Sequence, residues 1–260
     1  MKNLRKTIPV IIILLTGCTT LSLRMKVDPS LETNARVYEV KSPSSWSVNK
    51  KLNVSFGTYR VADANTGWRT TKTSSATEIS MVNQLLGMSS SDATNIKGSQ
   101  TLAYKFKIGD EITWDCQCVH LAEKRVTKHK NVSSLEILSS RYTCRYTRAD
   151  NEPWVLSIEQ HNLSQIDIRM TNGEKLFRAH STAGMYVTSD ERPYKTFRPP
   201  DAGYTWTHDD NNVAAISVGE KIPRVWLDKR NSDSMNHVLS MASTGVLIYH
   251  WKILPKLKQH

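Results

Sequence analysis

Alternation of apolar and polar residues over many short segments is the feature that most constrains this 260-residue chain. Successive side chains of a β-strand point to opposite faces, so each such segment predicts a strand with one buried face. Because no helical pattern separates these segments, we predict a mainly β fold, an antiparallel sandwich or open barrel. The segments are residues 52–56, 102–108, 112–120, 135–146, 154–158, 166–170, 204–206, 213–218 and 225–227.

Turn and helix signals punctuate the strand pattern. Asn172 and Gly173 lie between two alternating runs and predict a hairpin, as do residues 209–212. Residues 232–249 carry apolar side chains at helical spacing and predict one C-terminal helix, with Ser232 or Asp233 as its cap. The alternative for residues 246–251 is a final strand. Residues 63–99 are rich in Ser, Thr, Asn and Gly, and we expect them to form a long polar loop with a short apolar piece around residues 82–88.

Three of the four cysteines lie within the strand pattern. Cys116 and Cys118 share one face of a predicted strand, and Cys144 lies on the aromatic face of another. Thiols oxidise outside the cytoplasm, so we expect Cys144 to be bridged to Cys116 or Cys118, with the third cysteine left as a buried thiol. Metal binding by Cys116, Cys118 and His120 is the alternative, but no fourth ligand is evident in the sequence. No metal or cofactor is predicted.

The amino-terminal segment has the composition of an export signal. Lys2, Arg5 and Lys6 precede the apolar residues 8–15. That apolar run is less than half of the roughly 20 residues that a membrane-spanning helix needs. The segment is therefore predicted to be a signal peptide, which is not part of the folded domain.

A cysteine follows this apolar run directly. The sequence Leu15-Thr16-Gly17-Cys18 resembles the lipobox of bacterial lipoproteins. The resemblance implies that residues 1–17 are removed and that acylated Cys18 anchors the protein in a membrane. It also implies a location at the cell outer membrane, because Thr19, and not Asp, follows the cysteine.

These boundaries divide the chain into three parts. Residues 1–17 are the predicted signal peptide, residues 18–34 a lipidated tether, and residues 35–260 one β-rich domain. Several short pieces of this domain loosely resemble uncharacterised envelope lipoproteins of proteobacteria, which implies no established activity and no catalytic residues. The pieces are residues 56–60, 67–68, 203–204, 214–216 and 224–227.

Charge bears on the partners of the protein. The net charge is +11, but without Lys2, Arg5 and Lys6 the 35 basic residues fall to 32 against 24 acidic ones, which leaves +8. The interleaved aromatic and basic residues that nucleic-acid binding requires are absent from the sequence, so we predict no nucleic-acid partner.

A candidate interaction surface combines two groups of residues. Trp68 and Arg69 lie in a loop-like setting, and a basic cluster lies in residues 124–130, which we expect to form a loop. Such charge suits an anionic membrane, an envelope protein or a wall polymer. The basic residues of the cluster that we assign to this surface are Lys124, Arg125, Lys128 and Lys130.

Sequence motifs of catalysis are missing. The chain contains no Gly-rich phosphate loop, no G-x-S-x-G elbow and no H-E-x-x-H zinc pair. Glu159 and His161 are two residues apart and form either an acid–base couple or, more simply, a solvated pair. We therefore predict a lipid-anchored, non-catalytic binding or structural protein of the cell envelope. The alternatives are a barrel-like carrier of an apolar ligand and a cell-wall hydrolase.

Overall fold

Strands dominate this computed structural model, which describes residues 23–41, 52–78, 91–129, 132–161, 166–182, 185–187, 193–194 and 202–257. The strands are β1 (Leu23–Met25), β2 (Ala35–Glu39), β3 (Ser55–Phe56), β4 (Tyr59–Glu78), β5 (Ser91–Ile108), β6 (Ile112–His129), β7 (Val132–Arg148), β8 (Asn151–Gln160), β9 (Ile166–Thr171), β10 (Leu176–Thr182), β11 (Met185–Val187), β12 (Pro193–Tyr194), β13 (Gly203–His208), β14 (Asn211–Ser217) and β15 (Arg224–Asp228). The helices are α1 (Pro29–Asn34), α2 (Asp233–Ile248), a π-helical segment (Tyr249–Ile253) and α3 (Leu254–Leu257). Twelve of these described strands form one antiparallel sheet in the order β2-β15-β14-β13-β10-β9-β8-β7-β6-β5-β4-β3.

The sheet curls into a nearly closed barrel because its two outermost strands meet. Lys41, just after β2, and Ser55 of β3 exchange backbone hydrogen bonds of 2.8 and 3.1 Å. The rings of Tyr38 and Phe56 lie 6.3 Å apart at the same seam. The predicted mainly β fold with a C-terminal helix is therefore confirmed, and it takes the barrel form.

Helix α2 fills the interior of this barrel. Residues 238–249 are all buried, so the helix has no exposed face over three turns. It contacts strands on several sides. Tyr146 of β7 donates a hydrogen bond to the Met241 carbonyl of α2. In the π-helical segment that continues α2, Tyr249 donates one to Gln160 of β8, and Tyr204 of β13 lies 2.9 Å from His250. Gly245 is required here, because a Cβ atom at this position would lie 2.2 Å from Leu156 Cδ2.

Both predicted hairpins are confirmed. Asn172 Oδ1 accepts hydrogen bonds from the backbone N–H groups of Glu174 and Lys175 in the β9–β10 turn, and Gly173 has φ +98°. Asp209 and Asp210 have φ of +48° and +61° between β13 and β14, which is the conformation of a type I′ turn. The predicted cap of the C-terminal helix is also present, since Ser232 Oγ accepts from the Met235 N–H.

Two predicted loops are strands. Most of residues 63–99 belongs to β4 and β5, and residues 79–90 lie outside the described residues. The predicted basic loop belongs to β6 up to His129. Threonine and other β-branched residues suit an extended backbone even where neither face is apolar, so the polar composition misled the prediction.

The predicted tether is packed against the barrel over its described part. From Leu23 to Asn34 the chain forms β1 and α1, and the side chains of Met25, Val27 and Leu31 are buried on the outer face of β14 and β15. We name this packed part the outer layer; its core is Met25, Val27, Leu31, Ala35, Ala202, Ala215 and Trp226. The acyl site Cys18 lies outside the described residues.

Candidate functional site

A pocket of about 300 Å³ lies at one end of the barrel, which we name the mouth. The β5–β6, β7–β8, β9–β10 and β13–β14 turns gather at this end, and α2 begins there. This volume is at the lower end of the range of small-molecule pockets, and barrel mouths are a common place for them.

Aromatic side chains form the floor of the mouth pocket. Trp114 comes from β6, Trp154 from β8 and Phe177 from β10, and all three are buried. The Trp154 and Phe177 rings lie 5.8 Å apart, and the His208 ring lies 4.7 Å from Phe177 at an angle of 35°. Trp154, Phe177 and His208 therefore form a row of rings, and Trp114 adds a further aromatic side chain to the floor of the pocket.

Basic and hydrogen-bonding groups form the rim. Arg148 at the end of β7 and Lys175 in the β9–β10 turn are exposed and line the pocket. His208 Nδ1 donates to the Leu176 carbonyl at 3.1 Å, so its Nε2 is held 3.5 Å from the exposed Asp209 carboxylate. Arg148 and Lys175 can each donate charge-assisted hydrogen bonds to a carboxylate or phosphate of a ligand.

His237 completes the rim from the first turns of α2. Partial burial lowers the pKa of His237, the nearby Arg148 guanidinium lowers it further, and Asp233 opposes both effects. The imidazole is thus favoured in its neutral form, in which one ring nitrogen donates and the other accepts. The residues that line this pocket within the described part of the chain include no Asp or Glu.

A larger groove of about 570 Å³ crosses strands β4 to β8 near the far end of the barrel. Glu159, His161 and Glu123 all line it. Arg141 Nε lies 3.0 Å from a Glu159 oxygen, and Lys97 Nζ lies 3.3 Å from a Glu123 oxygen. Both carboxylates of this groove are therefore partners in ion pairs.

The cysteines resolve the pairing that the sequence left open. Cys118 and Cys144 are directly opposite each other on β6 and β7 and form a disulfide. Cys116 is the buried free thiol, and burial raises its pKa well above the ordinary value for cysteine. Its thiolate is accordingly scarce, and Cys116 is a packing residue of the barrel interior. No group of three or more His, Cys, Asp or Glu side chains within the described residues is arranged to hold a metal ion.

The predicted interaction surface is divided by the strand register. Arg69 lies in β4 level with Gln100 of β5, whereas Arg125 of β6 is level with Asn95 and donates a hydrogen bond to it. These levels are five residues apart along β5, about 16 Å. Trp68 lies next to Arg69 in β4, and Lys128 is exposed further along β6.

Lys124 is buried instead of exposed, and the position of Lys130 is not described. Lys124 is only 8% exposed and belongs to the buried face of β6, because the alternation of that strand continues through it. Lys130 lies outside the described residues. The predicted set therefore does not form one continuous patch within the described part of the chain.

The mouth pocket was missed from the sequence. Its rings and cations come from six segments that only the sheet register brings together. Trp114 and Trp154 lie in alternating segments whose pattern predicts core positions, and both side chains are indeed buried over most of their surface. The one available signal was the set of hairpin turns, because alternate turns of an antiparallel sheet fall at the same end.

No family model, no curated protein and no solved structure matches this chain. None of the helices within the described residues is both long enough and apolar enough to span a membrane.

Proposed function

We propose that this protein is a lipid-anchored component of the cell envelope, held at the outer membrane by acylated Cys18. The anchor is supported by the Lys2, Arg5 and Lys6 cluster, the short apolar run and the Leu15–Cys18 lipobox. An anchor of two or three acyl chains holds a protein stably, which a single chain does not.

We propose further that the barrel is a non-catalytic binding module that takes an acidic sugar unit of a wall polymer at the mouth. The observation that carries this proposal is the mouth pocket, with an aromatic floor beneath the Arg148 and Lys175 cations. An aromatic floor suits the apolar face of a sugar ring, and the cations suit its carboxylate. The pocket volume of about 300 Å³ suits one sugar unit.

The anchor is tested by labelling cells with radioactive palmitate. The wild-type protein should carry the label and sediment with membranes, and Cys18→Ala should lose the label. Cys116→Ala is the matched control, because its buried thiol is not an acylation site. A Cys18→Ala protein that keeps the label would contradict the proposal.

Binding at the mouth is tested by calorimetric titration of the purified lipidated protein with N-acetylmuramic acid, a ring sugar that carries a carboxylate. We expect saturable binding that quenches tryptophan fluorescence, since Trp114 and Trp154 form the floor. Absence of binding at millimolar sugar, both by calorimetry and by fluorescence, would contradict the proposed ligand.

The hydrolase alternative has one observation in its favour. Glu159, His161 and Glu123 line the groove across β4 to β8. A cell-wall hydrolase that cleaves glycosidic bonds needs two carboxylates near its substrate. Each carboxylate is already paired with a cation, Glu159 with Arg141 and Glu123 with Lys97, which suits a structural role instead. Digestion of purified cell wall by the wild-type protein that is lost in Glu159→Gln would support the hydrolase.

The carrier alternative is compatible with the barrel shape of the fold. In this structure, however, the buried helix α2 occupies the interior where an apolar ligand would bind. A carrier would therefore have to displace α2. A fatty acid that protects the wild-type protein from thermal unfolding would support this alternative.

A further inference from the structure

The start of the described chain is fixed at one place on the barrel. Leu23 to Met25 pair with β11, and the Met25 side chain is buried against Gly203, the first residue of β13. The Met25 N–H donates a 2.8 Å hydrogen bond to Glu220 Oε1 in the β14–β15 turn. The described chain therefore begins at the end of the barrel where β13 begins and β14 ends, and we name the position of Leu23 the exit point.

This exit point is close to the proposed lipid in sequence. Cys18 precedes Leu23 by five residues. A fully extended chain spans at most about 3.5 Å per residue, so Cys18 lies within roughly 18 Å of Leu23 in any conformation. An acylated Cys18 consequently holds this end of the barrel close to the lipid headgroups.

The surface around the exit point has the chemistry of a membrane contact. Arg24 and Lys26 flank Met25 and are exposed, and Lys221 and Ile222 are exposed in the adjacent β14–β15 turn. The Ile222 side chain is 48% exposed, which makes it one of the few large apolar residues on the described surface. Basic residues beside an exposed apolar one suit an anionic headgroup layer.

The two carboxylates beside this surface, Glu220 and Glu39, are both partners of Arg224. Glu220 is buried, accepts the Met25 N–H and lies 3.5 Å from Arg224. Glu39 is exposed and lies 4.0 Å from the same Arg224. The exposed charge around Lys26 and Lys221 is therefore mainly positive.

The mouth pocket is at the opposite end. Strand β14 begins at Asn211, next to the turn that follows His208 of the pocket, and ends at Ser217, next to the exit point. Seven residues of strand separate these ends by about 20 Å. An anchor at the exit point therefore keeps the mouth away from the membrane.

We propose that Arg24, Lys26, Lys221 and Ile222 form a membrane-facing surface that lies on anionic lipid headgroups, with the mouth pocket pointing away from the bilayer. This inference rests on the proposed acylation of Cys18 and adds an orientation to it. The barrel then presents its mouth pocket to the wall side.

The test uses the full lipidated protein reconstituted into vesicles that carry a headgroup-located quencher lipid. A fluorophore is attached to Ile222→Cys, and the matched control carries it on Glu174→Cys in the β9–β10 turn at the mouth. The added cysteine is the accessible one among those of the described chain, because Cys116 is buried and Cys118 is bonded to Cys144. Quenching should be about threefold stronger at position 222 than at position 174.

A charge variant shows whether the surface itself contributes. Lys26→Glu with Lys221→Glu should lose most of the difference in quenching in vesicles that contain phosphatidylglycerol, whereas Lys175→Glu at the mouth should keep it. Equal quenching at positions 222 and 174, in protein that sediments with the vesicles, would overturn the orientation. Protein that does not sediment with the vesicles would overturn the anchor itself, so the two failures are distinguishable.

Discussion

The barrel interior and the outer layer are built from different amounts of buried surface. The interior packs α2 against inward-facing side chains of many strands, and residues 238–249 are buried on every side. The outer layer rests on a much smaller group of buried side chains around Leu31 and Trp226. Among the described strands, β1 pairs only with the short strand β11, and the hydrogen bond from the Met25 N–H to Glu220 lies beside this pairing.

Because the outer layer buries less surface, we expect it to be less stable against local unfolding than the barrel interior. A region opens locally when few buried contacts hold it, and the most buried elements open only with the whole molecule. We expect the barrel to unfold as one unit around α2, and the outer layer to open first.

Truncating a helix residue inside the barrel should have the largest effect. Leu247 is fully buried in α2, and Leu247→Ala should lower the free energy of unfolding by about 2–5 kcal/mol, since a cavity remains. Denaturant unfolding followed by tryptophan fluorescence measures this change. Leu176→Ala, at a partly exposed position, is the control and should change stability by less than about 0.5 kcal/mol. Equal effects of both variants would contradict the buried position of α2.

Reducing the disulfide should weaken the interior by a comparable amount. The Cys118–Cys144 bridge joins residues 26 apart in sequence, and its loss should cost about 3 kcal/mol, because the unfolded chain gains freedom. The measurement is the unfolding midpoint with and without dithiothreitol. Cys116→Ala should show the same shift on reduction, because Cys116 is not bridged. A Cys116→Ala protein that no longer responds to reduction would show that the bridge involves Cys116.

Truncating the centre of the outer layer should loosen that layer and leave the barrel nearly intact. Leu31 is fully buried in the outer layer. Leu31→Ala should nevertheless lower the free energy of unfolding of the barrel by less than about 1 kcal/mol, and it should make residues 23–34 cleavable by protease. Leu31→Met is the control, since it conserves volume. Loss of several kcal/mol of barrel stability in Leu31→Ala would show that the two regions unfold together.

The smallest expected effect is a pH response of opposite sign in the two regions. At the mouth, burial lowers the pKa of His237 below its usual 6.5, so the unfolded chain binds the proton more tightly. The stability that neutral His237 provides is complete above pH 6.5 and is lost as the pH falls toward the folded pKa. His237→Asn should remove this part of the acid sensitivity of barrel unfolding.

In the outer layer, burial raises the pKa of Glu220 above its usual 4.5, against the opposing effects of the Met25 N–H and Arg224. The stability that protonated Glu220 provides is therefore complete below pH 4.5 and is lost as the pH rises through the folded pKa. Amide hydrogen exchange at Met25, corrected for its intrinsic pH dependence, should show less protection above this range. Glu220→Gln should make the protection independent of pH there.

The sequence predicts the parts of the fold in which local pattern and burial agree. Strands β5 to β9 alternate strongly around Trp114 and Cys144, and the Asn172-Gly173 turn and the Ser232 cap have specific local chemistry. The same reasoning missed the polar halves of β4 and β5, where Ser and Thr occupy both faces. It also missed α1, which buries only Leu31 and so has no apolar stripe.

The candidate site depends on information that is not local. The cysteine pairing is decided by the register of β6 and β7, which places Cys118 and not Cys116 opposite Cys144. The mouth pocket likewise depends on the meeting of four turns with the start of α2. The expected cluster of Lys124 with Arg125 fails because neighbouring residues of a strand face opposite sides.

The affinity ratio of the mouth pocket for N-acetylmuramic acid over N-acetylglucosamine is the decisive measurement, because the two sugars differ only in the lactyl ether group that carries the carboxylate. Calorimetry on the lipidated protein should give a ratio of about ten or more, as expected for charge-assisted hydrogen bonds from Arg148 and Lys175. Lys221→Gln, at the opposite end of the barrel, should keep that ratio, and Arg148→Gln with Lys175→Gln should reduce it to about one. An unchanged ratio in the Arg148 and Lys175 double variant would contradict the mouth pocket as the binding site.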